Sequence, residues 1–135
     1  MNASYNQQVI EEFRANEGKL GGPFEGGSML LLTTTGARSG QPHTTPLMYR
    51  DEGDARYVFA SMGGAPTNPA WYRNLVAQSS VTVEVGSEKY EATASSLDGA
   101  ERDRVYAAQA EAVPMFGEYQ RGTERVIPVV RLARA

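Results

Sequence analysis

A chain of 135 residues with 41% hydrophobic side chains, 13 basic against 16 acidic groups and a formal charge of −3 is long enough for one domain around one core, and too acidic for general nucleic-acid binding. It has no cysteine, which removes disulfides, thiol nucleophiles and thiolate metal sites, and its single histidine removes a histidine-rich metal centre, so no metal site is expected. No apolar run reaches bilayer-spanning length and the start lacks the basic and apolar layout of a secretory signal, so the expectation is a cytoplasmic protein.

Between Ser4 and Asn16, the residues Tyr5, Val9, Ile10 and Phe13 recur at helical spacing behind a Ser4 or Asn2 cap, which predicts a short amphipathic helix. Docking on the domain is the expected use of its apolar face. Lying on a membrane surface is the weaker alternative, because only Arg14 and Lys19 are basic nearby. Gly18, Gly21, Gly22, Pro23, Gly26 and Gly27 then make a linker. Residues 1–20 are thus read as helix and linker, and residues 21–135 as the folded domain.

The run from Leu30 to Thr35 is apolar and then β-branched, and a second extended run follows from Thr44 to Tyr49. Between them lies a loop with Gly36, Arg38, Ser39 and Gly40. Its two glycines permit positive φ, so that successive amides could face one concavity, and Arg38 adds a planar fork suited to phosphate or carboxylate. From Gly26 to Arg50 there is no acidic side chain, in a chain with more acids than bases. These features point to an anionic ligand; the plainer alternative is an ordinary hairpin loop with a solvated arginine.

Asp51 to Asp54 is a turn signal before a third run, Arg56 to Ser61, which ends in a second glycine-rich loop through Pro66. Two such loops on neighbouring strands could meet at one edge of a sheet. Asn68 to Ala77 reads as a helix with Asn68 as cap and Pro69 in the first turn; Trp71, Leu75 and Gln78 would share a face. Trp71 is either a core residue or a pocket wall. Val81–Val85 and Lys89–Ala94 alternate at period two around Gly86-Ser87-Glu88, a hairpin. Asp98 caps a helix from Gly99 to Ala112 with Val105, Ala108 and Ala112 on one stripe, and Pro114 to Gln120 is a short helical or irregular piece. Val126 to Leu132 closes as a strand in which Pro128 suggests an edge or a bulge. Five or six strands, mostly in hairpins, with peripheral helices, indicate an α+β domain built on an antiparallel β-barrel rather than a doubly wound parallel sheet.

Four separate motifs carry a family likeness: Leu32-Thr-Thr-Thr-Gly-Ala-Arg-Ser-Gly-Gln-Pro42, Ala60-Ser-Met-Gly-Gly64, Asn68-Pro-Ala-Trp-Tyr-Arg-Asn-Leu75 and Arg125-Val-Ile-Pro-Val129. In order and spacing the chain resembles the deazaflavin-dependent nitroreductase family of actinobacteria. The resemblance implies a split antiparallel β-barrel of the FMN-binding, pyridoxamine-phosphate-oxidase-like kind. It implies coenzyme F420, a deazaflavin ending in a phosphate and a glutamate tail, with FMN as the alternative cofactor. It further implies an oxidoreductase that passes a hydride from the reduced deazaflavin to a small electron-poor acceptor: a quinone, an enone or a nitro compound. A non-catalytic deazaflavin carrier is the rival from another class, and a homodimer is expected by analogy.

Carried over residue by residue, Ala37, Arg38 and Ser39 would hold the phosphate and the start of the tail. His43, Thr44, Thr45 and Pro46 would continue that wall. Phe59, Ala60, Ser61 and Met62 would line the ring, and Ala70, Trp71 and Tyr72 would close the pocket. The proton would come from solvent or from Tyr119; His43 as a general acid is set against a ligand contact or a solvated side chain. The chain departs from the family pattern at Ala37, His43 and Met62, where basic residues are common, and at Val113 and Phe116, where nitroreductases place tyrosines. Fewer fixed cations imply a weaker grip on a long glutamate tail or a shorter preferred tail, and the missing tyrosines count against nitroimidazole reduction.

Overall fold

The computed structural model describes residues 3–21 and 28–135; the linker residues Gly22, Pro23, Gly26 and Gly27 lie outside that range. In chain order the elements are α1 (Ala3–Ala15), β1 (Met29–Thr35), β2 (Pro42–Glu52), β3 (Ala55–Phe59), a 3-10 turn (Met62–Gly64), α2 (Ala70–Ala77), β4 (Ser80–Val85), β5 (Glu88–Ser96), α3 (Gly99–Ala112), α4 (Met115–Arg121) and β6 (Val129–Arg134). The six strands close into a barrel in the order β1-β2-β3-β6-β5-β4, every neighbour antiparallel, which bears out the expected α+β antiparallel barrel. Closure leaves no strand edge to protect. The pairing that closes it is long-range: Leu31, Leu32 and Thr33 of β1 pair with Glu84, Val83 and Thr82 of β4.

Three apolar clusters explain why period-two alternation is weak in β1 and β3. Leu30 and Leu32 point into the barrel with Val58, Val83 and Val130, and Trp71 and Leu75 of α2 plug one end of that interior. Leu31, on the opposite face of β1, is covered by Val9, Ile10 and Phe13 of α1, so three consecutive leucines are fully buried. Tyr57 and Phe59 on the outside of β3 meet Val105 and Tyr106 of α3, Phe116 of α4, and Ile127. A strand covered on both faces reads as a continuous apolar run.

The apolar face of α1 is therefore used on the barrel, and the helix shows solvent Gln7, Gln8, Glu11, Glu12 and Arg14. The Arg14 guanidinium holds it there through a two-pronged bond to Glu84 of β4, at 3.0 and 2.9 Å. This docking gives the membrane-surface alternative no support: among the described side chains no exposed apolar stripe remains on α1. Nor is any helix among the described residues long and apolar enough to cross a membrane.

Other local expectations are revised. Pro128 stands just before β6, so it withholds no ladder hydrogen bond, and its carbonyl accepts from the Ala60 amide at 3.0 Å. Pro69 takes the N-cap position of α2, and Asn68 does not cap the helix, because Arg125 holds its side-chain oxygen. The inward face of α3 is Arg102, Val105, Tyr106 and Gln109, whereas Ala112 is exposed. A buried arginine defeats the hydrophobic count there. Arg102 donates from Nε and Nη2 to the Ile127 carbonyl and from Nη2 to Gln120 Oε1, and its guanidinium lies 4.5 Å over the Tyr106 ring.

Candidate functional site

The two glycine loops expected from the sequence open on one groove with two lobes. The larger lobe, of about 960 Å³, is lined by the loop from Gly36 to Ser39, by Pro42 to Thr45 at the start of β2, by Ala70, Arg73 and Asn74 of α2, and by Asn6, Gln7 and Ile10 of α1. The smaller, of about 430 Å³, takes Pro46, Leu47 and Met48 of β2, Phe59, Ser61, Met62 and Gly63 of the second loop, and Met115, Phe116 and Tyr119 of α4. Asn6, Thr45 and Trp71 line both lobes. Among the described residues no aspartate or glutamate lines either one, and the arginines in the lining, Arg38 and Arg73, belong to the larger lobe. The smaller is uncharged, with an aromatic and thioether lining. A ligand with an anionic end and a flat apolar end fits this division.

In the larger lobe, the loop is built by its own hydrogen bonds. Gly40 has φ +69° and its amide donates to the Gly36 carbonyl; the Gly36 amide in turn donates to the Gln41 carbonyl. Gly36 is required for space rather than for positive φ, since a Cβ there would collide with Ser39 Oγ and lie 3.0 Å from His43 Nε2. The Ala37 amide donates to Asn74 Oδ1 at 3.0 Å, and the Gln41 amide to Ser39 Oγ at 3.1 Å. The expected cradle is consequently smaller than the run of amides suggested. Only the Arg38 and Ser39 amides have no partner among the described residues. The Arg38 guanidinium is exposed and likewise uncommitted, while Arg73 is tied to the Asn68 carbonyl. An uncommitted cation beside two open amides is an arrangement that can take an anion without internal competition.

The second loop is gripped from two sides. Met62, Gly63 and Gly64 take φ of +45°, +64° and +83°, and a Cβ on Gly64 would lie 2.9 Å from the Tyr119 carbonyl oxygen, so α4 rests directly on the turn. From below, Arg125 donates from Nε to the Ala65 carbonyl, from Nη1 to the Ala60 carbonyl and Asn68 Oδ1, and from Nη2 to the Ser61 carbonyl, all within 2.8–3.1 Å. Among the described residues it has no carboxylate partner, and burial pulls it below the usual arginine range.

Most of the expected site residues come together. Ala37, Arg38, Ser39, His43, Thr44, Thr45 and Ala70 line the larger lobe, and Pro46, Phe59, Ser61, Met62 and Tyr119 the smaller. Trp71 answers to both readings, as a core residue 7% exposed and as the wall shared by the lobes. Two do not belong. Ala60 is fully buried with its side chain in the barrel core, and Tyr72 faces the other side of α2, where its hydroxyl bonds Ser96 Oγ at 3.0 Å beside a separate hollow. One helical step of 100° separates Tyr72 from Trp71, which is enough to turn it away.

Asn6, Asn74 and Arg125 were not foreseen. Asn74 sits three residues after Trp71 on the same helix, and its Nδ2 donates to the buried Thr34 hydroxyl at 3.2 Å while its oxygen holds the Ala37 amide. Asn6 has a legible signal in retrospect: it stands four residues before Ile10 and seven before Phe13, an amide at an inward position of an amphipathic helix.

Comparison with known proteins gives the following. Residues 5–133 match the family model of the F420H(2)-dependent quinone reductases. The chain is 39% identical over 128 residues to an F420H(2)-dependent quinone reductase of Mycobacterium tuberculosis, covering 90% of this chain and 85% of that protein. It is similar to the solved structure of an F420-H2 dependent reductase, FDR-A, at 40% identity and a TM-score of 0.71, over 78% of this chain and 93% of the other. A further similar chain, solved as a domain-swapped dimer, is 34% identical with a TM-score of 0.73, and 96% of each chain is covered.

Proposed function

This chain belongs to the F420H(2)-dependent quinone reductase family, and on that premise we propose that it binds coenzyme F420 in the two-lobed groove and reduces a small quinone there. The observation that carries the reading is the division of the groove: among the described residues no acid in its lining, an uncommitted Arg38 at one end, and an uncharged aromatic lobe at the other. A phosphate joined to a planar ring matches that division in charge and shape.

When bound, the coenzyme supplies a hydride from its ring carbon to the acceptor. Every other contribution is the protein's. Arg38, with the open Arg38 and Ser39 amides, would hold the phosphate, and Ala37, His43, Thr44, Thr45 and Pro46 would form the wall leading away from it. Phe59, Ser61 and Met62 of the smaller lobe would hold the ring, with Trp71 and Ala70 of α2 closing the groove over it. Met115 and Phe116 exclude water from the acceptor side, which strengthens the electrostatics within. The Tyr119 hydroxyl, which bonds Met115 Sδ at 3.3 Å, is the protic group on that wall. It donates to the oxygen on which negative charge develops, or it orders a water that does. Enones and nitro compounds remain acceptors of the same electron-poor class. Phe116 is 4% exposed and hydrogen-bonds nothing through its ring, so it offers a nitro group no hydroxyl.

Trp71, the only tryptophan, reports on the groove directly. Titration with F420 is expected to quench its fluorescence saturably, with FMN quenching weakly or not at all. Quenching by FMN alone would keep the barrel and change the cofactor; quenching by neither would overturn the reading. Turnover of the F420 complex with a benzoquinone separates an enzyme from a carrier.

Tyr119→Phe carries a second expectation. With Tyr119 as donor, quinone turnover falls by about tenfold or more while the F420 affinity stays the same. Unchanged turnover assigns the proton to solvent.

A further inference from the structure

Asn6 stands where the two lobes meet, and its Oδ1 is buried with no hydrogen-bond partner among the described residues. Buried side-chain acceptors are satisfied in the large majority of cases, so an orphan on a residue that lines a groove asks what satisfies it when the groove is filled. Loose packing of α1 is not the explanation. Phe13 is 1% exposed under Leu31, Arg14 grips Glu84 with two bonds, and Gly18 meets Gly86 so closely that a Cβ would lie 2.7 Å from its Cα. The helix is anchored at its C-terminal end and carries Asn6 over the groove at the other.

The chemistry at this point is specific. Asn6 shares both linings with Thr45 and Trp71 only, and no cation stands in the smaller lobe. A carboxamide oxygen needs a donor, and a phosphate oxygen at neutral pH has none to give. A hydroxyl does. In the F420 reading, on which this inference rests, the phosphate lies at Arg38 and the ring beyond Trp71, so what crosses the junction is the hydroxylated ribityl chain that links them. We propose that Asn6 Oδ1 accepts a hydrogen bond from a ribityl hydroxyl, making α1 part of the coenzyme site rather than only a packing element.

The test uses full-length wild-type, Asn6→Leu and Asn6→Asp proteins with three probes: F420, its ring-plus-ribityl fragment without phosphate, and a deazaflavin bearing a plain alkyl chain in place of ribityl. Trp71 fluorescence reads affinity, and thermal melting reads the unliganded fold. Asn6→Leu is expected to weaken F420 and the fragment alike, by about three- to tenfold, and to leave the alkyl analogue unchanged. Asn6→Asp keeps the acceptor and should bind the fragment within about twofold of wild type, the scale of a retained hydrogen bond. Removing an unsatisfied buried acceptor should leave the unliganded Asn6→Leu protein melting at or above wild type. A structural role would instead lower melting and weaken all three probes together, which overturns the contact. Wild-type binding with no loss in Asn6→Leu also overturns it. Failure of the wild type to bind F420 or the fragment overturns the F420 reading itself, and the contact with it.

Discussion

Arg125→Leu is expected to lower the thermal midpoint by about 10 °C and to weaken binding of the ring-plus-ribityl fragment by at least about tenfold. One guanidinium holds the carbonyls of Ala60, Ser61 and Ala65 and the side chain of Asn68, and leucine offers none of the four a donor. A buried polar group left unmade costs about 1–3 kcal/mol, and water reaches part of this half-buried cluster, so a total of about 3 kcal/mol is the scale. The loss also frees a turn that needs holding. Met62 at φ +45° is a non-glycine residue in the left-handed region, which its backbone does not favour on its own. With the turn released, Ser61 and Met62 no longer present a fixed edge to the ring. Arg125→Lys should recover only part of the loss, because an ammonium cannot span four acceptors spread over a planar fork. Melting within about 2 °C of wild type would show that the contact of Gly64 with α4 holds the turn by itself.

Arg38→Ala is expected to weaken F420 by about 10- to 100-fold, the range of one or two charge-assisted hydrogen bonds, and to leave the phosphate-free fragment unchanged. Arg38 has no partner among the described residues, so its removal breaks nothing in the fold and the melting temperature should hold. Because the side chain is exposed, the wild-type affinity for F420 should fall with added salt, and the variant's should fall less. Equal losses on F420 and on the fragment would mean that Arg38 shapes the loop rather than meeting the phosphate. No loss on either would leave the phosphate to the Arg38 and Ser39 amides alone. Arg73 is not an equivalent replacement, since its guanidinium is held by the Asn68 carbonyl.

Much of the site was legible because it is local. The loop from Gly36 to Gly40 and the turn from Ser61 to Gly64 announce themselves by glycines among strand residues, and the acid-free interval marks the stretch of chain suited to an anion. Tyr72 was misplaced because adjacent helical residues differ by 100°, and the motif around Trp71 does not say which of its members faces the groove. The amide cradle was overestimated for another reason: Asn74 and Ser39 satisfy the Ala37 and Gln41 amides, and side chains that compete for a loop's amides leave no mark on its glycine pattern.

The sequence by itself pointed to five or six strands, the antiparallel class, the longer helices and the charge pattern around the groove, since these follow from short-range periodicity, turn residues and charge spacing. Tertiary structure alone decided the rest. It paired β1 with β4 and β3 with β6, brought α1 across the groove to set Asn6 at the junction, and put Arg125 under a turn about sixty residues away in the chain. A half-buried arginine reads as a surface charge, and a groove-lining asparagine reads as a helix polar face, until the partners that surround them are known. Those partners come from closing the barrel, and closure is a property of the whole chain rather than of any window within it.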